Sequence, residues 1–285
     1  MVGRCIIANR FWVLEGGTWD ASDTTHWATS SGAGVGGASV PGAGDVAIFD
    51  ALSAPLGGTC TVNTTVTVQQ ITMGLFTGTL DFATNDNNVT LSVAFSNSGT
   101  GTRTLNMGDG TWTLTAASGT VWNQSTITGL TFNSNASTLV IAASSTPSAE
   151  RAIVLGASLT YNAVTISDPS ISSTTERVAV NFTSASNTIT TFSITNAYWL
   201  KLPTITITNG FNYSGSLGNA ILIHSSDANN QLTLSVGGAV TLGWAAIQNV
   251  IKSGAGSITA TNSFDLGGNT GVTIALPPSS RIISG

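Results

Sequence analysis

Cys60-Thr-Val-Asn-Thr-Thr-Val-Thr-Val68 alternates apolar side chains with hydroxyl and amide side chains, the period of two that sets one face of a β-strand in a core and the other in water. The same pattern lies on both sides of this stretch. Val46-Ala-Ile-Phe49 precedes it, and Gly78-Thr-Leu-Asp-Phe82, Val89-Thr-Leu-Ser-Val93, Thr104-Leu-Asn-Met107 and Thr111-Trp-Thr-Leu114 follow. It recurs in Gly129-Leu-Thr-Phe132, Thr138-Leu-Val-Ile141, Ser158-Leu-Thr-Tyr161, Val164-Thr-Ile166, Thr188-Ile-Thr-Thr-Phe192 and Thr204-Ile-Thr-Ile207. Ala220-Ile-Leu-Ile223, Leu232-Thr-Leu-Ser-Val236, Ala239-Val-Thr-Leu242, Ser257-Ile-Thr-Ala260 and Gly271-Val-Thr-Ile274 complete the series. Gly, Asn, Ser and Asp clusters between the runs supply turn chemistry. Only Leu242-Gly-Trp-Ala-Ala-Ile-Gln-Asn-Val-Ile251 tolerates a helix, and its β-branched end argues against one.

The expectation is therefore all-β. Runs such as Thr-Leu-Asp-Phe and Gly-Leu-Thr-Phe return after roughly 20–30 residues, the spacing of coils that bury their apolar faces by stacking. A single-stranded right-handed parallel β-helix (solenoid) is the favoured architecture, with Thr and Ser ladders on its outside. An antiparallel β-sandwich or jelly roll is the alternative, because periodicity does not separate the two pairings. Residues 1–45, with Trp12, Trp19, Trp27, His26 and the Gly-rich Ser31–Ser39, read as an irregular cap or docking segment. Residues 46–274 then form the solenoid and 275–285 an extended tail.

Composition narrows function. Hydrophobic residues make up 41% of the 285 and charged residues 7%, against about 25% charged in an average domain. Mean hydropathy of +0.28 and a net charge of −5 argue against disorder. The eight Lys and Arg residues, scattered from Arg4 to Arg281, form no basic patch for nucleic acid. No apolar run is long enough for a membrane span or a secretory leader, so no membrane partner is expected and a product made in the cytoplasm is.

The chemistry-bearing residues are sparse. Cys5 and Cys60 either bridge or stand as buried free thiols, the latter preferred. His26 and His224 have no second ligand at metal spacing, so neither metal nor cofactor is expected. A polysaccharide-cleaving enzyme would need two facing carboxylates, and Asp81, Asp86, Asp109, Glu150, Asp168 and Glu176 are the candidates. Asp86, Asp109 and Asp168 sit in ordinary turn settings, however, and no catalytic residue is assigned. Gly32 to Gly37 lacks the Lys-Ser/Thr ending of a phosphate loop, and no Gly-x-Ser-x-Gly elbow occurs. Trp12, Trp19 and Trp27 would serve a sugar platform or, preferably, plug one end of the core near Val46–Phe49.

Phe11-Trp-Val-Leu-Glu-Gly-Gly-Thr-Trp-Asp20 through Pro41, with Asp45-Val-Ala-Ile-Phe-Asp50, resembles the opening of Thr-rich repeat proteins of tailed bacteriophages. Leu266-Gly-Gly-Asn-Thr-Gly-Val-Thr-Ile274 resembles the motif that closes many of them. The resemblance implies a non-enzymatic virion structural protein displayed on the particle and contacting other virion proteins; 285 residues leave room for one capped solenoid but hardly for separate particle- and receptor-binding domains, so the capsid is expected in preference to the tail fibre or spike. The resemblance implies no catalytic residues. A homo-oligomer, expected to be a trimer, and a host-surface glycan are the further partners considered.

Overall fold

A computed structural model describes residues 7–142, 150–167, 179–195, 199–216, 220–227 and 230–278. These residues contain no helix, and their strands form sheets of 19, five and four. The ladders are parallel, except that Trp27–Ala28 runs antiparallel to Ala8–Trp12. Such pairing rules out the antiparallel sandwich.

Except for Trp27–Ala28, each strand pairs in parallel with a strand elsewhere along the chain, and the stretch of chain from a strand to its parallel partner is termed a circuit. Along the longest row Val46 faces Gln70, Gln70 faces Ala94, Phe95 faces Trp122 and Asn123 faces Val154. Farther on, Ile153 faces Phe182, Leu200 faces Ile223, and Ile223 faces Ile247. A second row is the five-stranded sheet from Gly17–Trp19 through Thr59–Val62, Thr79–Asp81 and Arg103–Asn106 to Leu130–Asn133. A third begins with Val66–Val68 against Val89–Leu91 and continues through Thr111–Leu114 and Thr138–Ala142.

Some of the longer strands serve two rows each. Val66–Met73 and Val89–Asn97 turn a corner, with a register shift between Val68 and Gln70. Alternation changes phase there, which is why Val93 is 45% exposed instead of pointing inward. The run that tolerates a helix is three strands, Val240–Gly243, Ala245–Gln248 and Val250–Ser253. Trp244 and Asn249, each at φ 57°, make the corners between them.

The sheets extend into the segment expected to be irregular. Ala8–Trp12 pairs with Asp45–Phe49, and Gly17–Trp19 with Thr59–Val62. Trp12, Trp19 and Trp27 are buried, their rings 5.9, 6.2 and 6.0 Å from Phe49. Toward the C-terminus the filling becomes aliphatic, with Ile205, Ile207, Ile223, Leu234, Val236 and Ile247 inside. Among the described residues the last strand is Val272–Ile274, and residues 275–278 form none.

Polar side chains bind one circuit to the next. Asp86 Oδ1 accepts the Asp109 N–H at 2.8 Å, and Asp109 Oδ1 accepts the Ala136 N–H at 2.9 Å. Asn133 donates to Asn106, which donates to Asp81. Inside, buried Arg103 donates to Asn97 Oδ1 and to the carbonyls of Gly101, Thr126 and Thr128, so its charge is spread over acceptors without a carboxylate. Cys60 is a buried free thiol, its pKa pushed well up by burial; Cys5 lies outside the described residues.

Candidate functional site

The carboxylates expected as catalytic candidates are held by structural hydrogen bonds. Asp81 accepts from the Ala83 N–H at 3.0 Å, the Thr84 hydroxyl at 2.6 Å and Asn106 at 3.1 Å. Asp86 and Asp109 occupy corners, each bonded to the backbone of the following circuit. Asp168 and Glu176 lie outside the described residues. Asn269 of the closing Gly-Asn-Thr-Gly motif donates to Ile247 O and accepts from the Val250 N–H, which fastens it to the preceding circuit.

The N-terminal tryptophans offer no sugar platform, because their rings are covered and face one another. Trp12 and Trp27 meet edge-on at 5.3 Å, and His26 stacks on Trp12 at 4.6 Å. Among the described residues no group of three or more His, Cys, Asp or Glu is placed to hold a metal ion.

Glu150 does join a cluster. It lies just before the strand Arg151–Val154, on the row that continues through Ala179–Phe182, Trp199–Leu202, Ile221–Ser225 and Ala245–Gln248. On that row Asn181, Lys201, His224 and Gln248 are in register on successive strands. Leu200, Leu202, Ile221, Ile223, Ala245 and Ile247 point into the core, so alternation turns this polar column outward. Glu150 accepts from Asn181 Nδ2 at 2.6 Å and pairs with Lys201 Nζ at 2.5 Å.

Beside the polar column runs an apolar one. Trp199, Leu222, Ala246 and Phe264 face one another on consecutive strands. Trp199 is 38% and Phe264 43% exposed. Lys201 Nζ stands 5.3 Å from the Trp199 ring centre, within cation–π range, and the His224 ring is 5.7 Å from that indole.

Partial burial pushes the Glu150 carboxyl up, but the hydrogen bonds from Lys201 and Asn181 and the Lys201 charge outweigh it and hold its pKa below the ordinary value. His224 is held below its ordinary value, first by burial and then by the Lys201 charge. Asn181 Oδ1 and His224 Nε2 are covered and without a hydrogen-bond partner, so the polar column retains unused hydrogen-bonding capacity. Sequence reasoning met Glu150 and His224 as isolated residues and passed over Asn181, Trp199 and Lys201. The signal lay in their shared column, which appears only when strands are aligned by circuit.

No family model matches the chain, and no curated protein and no solved structure matches it either.

Proposed function

We propose that the chain is a single right-handed parallel β-helix, capped by residues 1–45, that acts as a non-enzymatic structural element displayed on the surface of a tailed-bacteriophage particle. The observation that carries the architectural part is the register of the longest row, which passes from Ala8–Trp12 to Phe264–Asp265 with a partner one circuit away at each step. Right-handedness follows from the strong preference of parallel crossovers. The virion assignment rests on the resemblance of the opening and closing stretches to phage repeat proteins. A display role is supported by the carboxylates bound into corners and by a surface of hydroxyl and amide groups, which suits contact in place of chemistry.

Side-by-side association into a trimer belongs to the same reading, since surface assemblies are usually symmetric. Electron microscopy of particles labelled with an antibody against this chain is the test. Signal over the capsid is expected; signal at the tail tip overturns the capsid placement, and unlabelled particles overturn the virion reading. Light scattering that finds a monomer at micromolar concentration removes the trimer.

A further inference from the structure

The outward face of the long row carries more than a solvated sheet needs. Isolated exposed aromatics are ordinary, but Trp199 and Phe264 lie in one column, with Leu222 and Ala246 between them. At about 4.8 Å per strand the column from Trp199 to Phe264 is about 14 Å long. Asn181, Lys201, His224 and Gln248 run parallel to it. The surface is therefore amphipathic across its width, with an apolar column beside a polar one.

We infer that this double column on the long row, Trp199–Phe264 beside Asn181–Gln248, binds a neutral oligosaccharide chain lying across the strands along the stack. A pyranose presents an apolar C–H face and a rim of hydroxyls, which matches an aromatic column beside donors and acceptors. Neutrality of the ligand follows from charge. Glu150 compensates Lys201, and the chain as a whole carries −5, which disfavours an anionic polymer. Asn181 Oδ1 and His224 Nε2, both in this polar column, have no hydrogen-bond partner within the protein. A second copy of the chain is the competing occupant; the column of mixed polar and apolar groups with internally paired charges favours the sugar.

Native gels cast with dextran, hydroxyethylcellulose or galactomannan, with alginate as the anionic control, test the inference on the whole protein. Retardation is expected in at least one neutral gel and not in alginate alone. Trp199→Ala and Phe264→Ala, each checked for an unchanged circular dichroism spectrum, should each weaken retention by up to about ten-fold, the size of one aromatic stacking contact. Both side chains are exposed at one face, so the two variants give independent readings of the same column. Migration unaffected by any neutral polymer, retention only in alginate, or retention unchanged in both variants overturns it. So does Trp199→Ala dissociating an oligomer that shows no glycan retention, since the face is then an interface between copies. The inference does not depend on where the protein sits on a particle, and microscopy and gel retention fail separately.

Discussion

At the N-terminal end the strand Ala8–Trp12 has Asp45–Phe49 on one side and the antiparallel Trp27–Ala28 on the other, with three buried indoles packed around Phe49. At the C-terminal end Phe264–Asp265 pairs with Ala245–Gln248 and Val272–Ile274 with Ile258–Thr261, and among the described residues no strand pairs beyond them. Phe264, Leu266 and Leu276 are exposed there. An open strand edge invites pairing with another chain, and an antiparallel segment removes that template. One end is closed by the chain itself. Among the described residues the other leaves its apolar surface available, so the two ends should respond unequally to the same perturbation.

The sharpest test of that inequality is Trp19→Ala. Its ring is 1% exposed and 4.9 Å from Trp27, and emptying such a site costs about 3–5 kcal/mol, measured by urea denaturation. A loss below about 1 kcal/mol, the range of ordinary surface substitutions, breaks the comparison. Next is Gly58→Ala, because a Cβ there would stand 1.5 Å from Glu15 O and force two circuits apart. A loss of about 1–3 kcal/mol is expected, as for overpacking elsewhere. Gly267 makes the control at the other end: its Cβ meets nothing within 4 Å, and only its φ of +95° penalises alanine, by about 1 kcal/mol. Ile274→Ala at the open end removes a side chain that is only partly buried and should cost about 1 kcal/mol. A larger loss would show that the last circuit is covered in solution.

The smallest effect concerns acid. His224 titrates below its ordinary 6.5 in the folded chain, so the unfolded chain takes up the proton first. Its contribution is full above that value and is lost as pH falls below it. Glu150 titrates below its ordinary 4.5, and its contribution is present above that value and lost as pH falls through the depressed pKa. Both signs agree. Melting temperature should decline from about pH 7 to about pH 4, and His224→Gln should remove the upper part of the decline. Glu150→Gln at neutral pH should cost at most about 1 kcal/mol, because the ion pair is partly exposed.

Much of the fold was legible because alternation survives wherever one face is buried. Thr111–Leu114 and Thr138–Ala142 fall where the period of two places them. Corners were harder to read. Val89-Thr-Leu-Ser-Val93 reads as an alternating strand with Val93 inward, but the observed strand runs to Asn97 and bends so that Val93 is exposed. Trp244 and Asn249 take the left-handed conformation without a glycine to announce it. The parallel arrangement was favoured by the recurrence of similar runs, but periodicity alone left the antiparallel alternative open and gave no register, since register is a relation between residues far apart in the chain, as with the Asp86–Asp109 bond at a separation of 23. The column of Asn181, Lys201 and His224 was hidden for the same reason.

The bonds from Asp86 to Asp109 and from Asp109 to Ala136 tie each corner to the one above it, at separations of 23 and 27 residues. A duplication or deletion within the chain is therefore tolerated best when it adds or removes one complete circuit, because the strands on either side then meet new partners in the old register. A change of a few residues inside a strand instead turns its apolar side chains to water, whereas the same change in a corner only lengthens a loop.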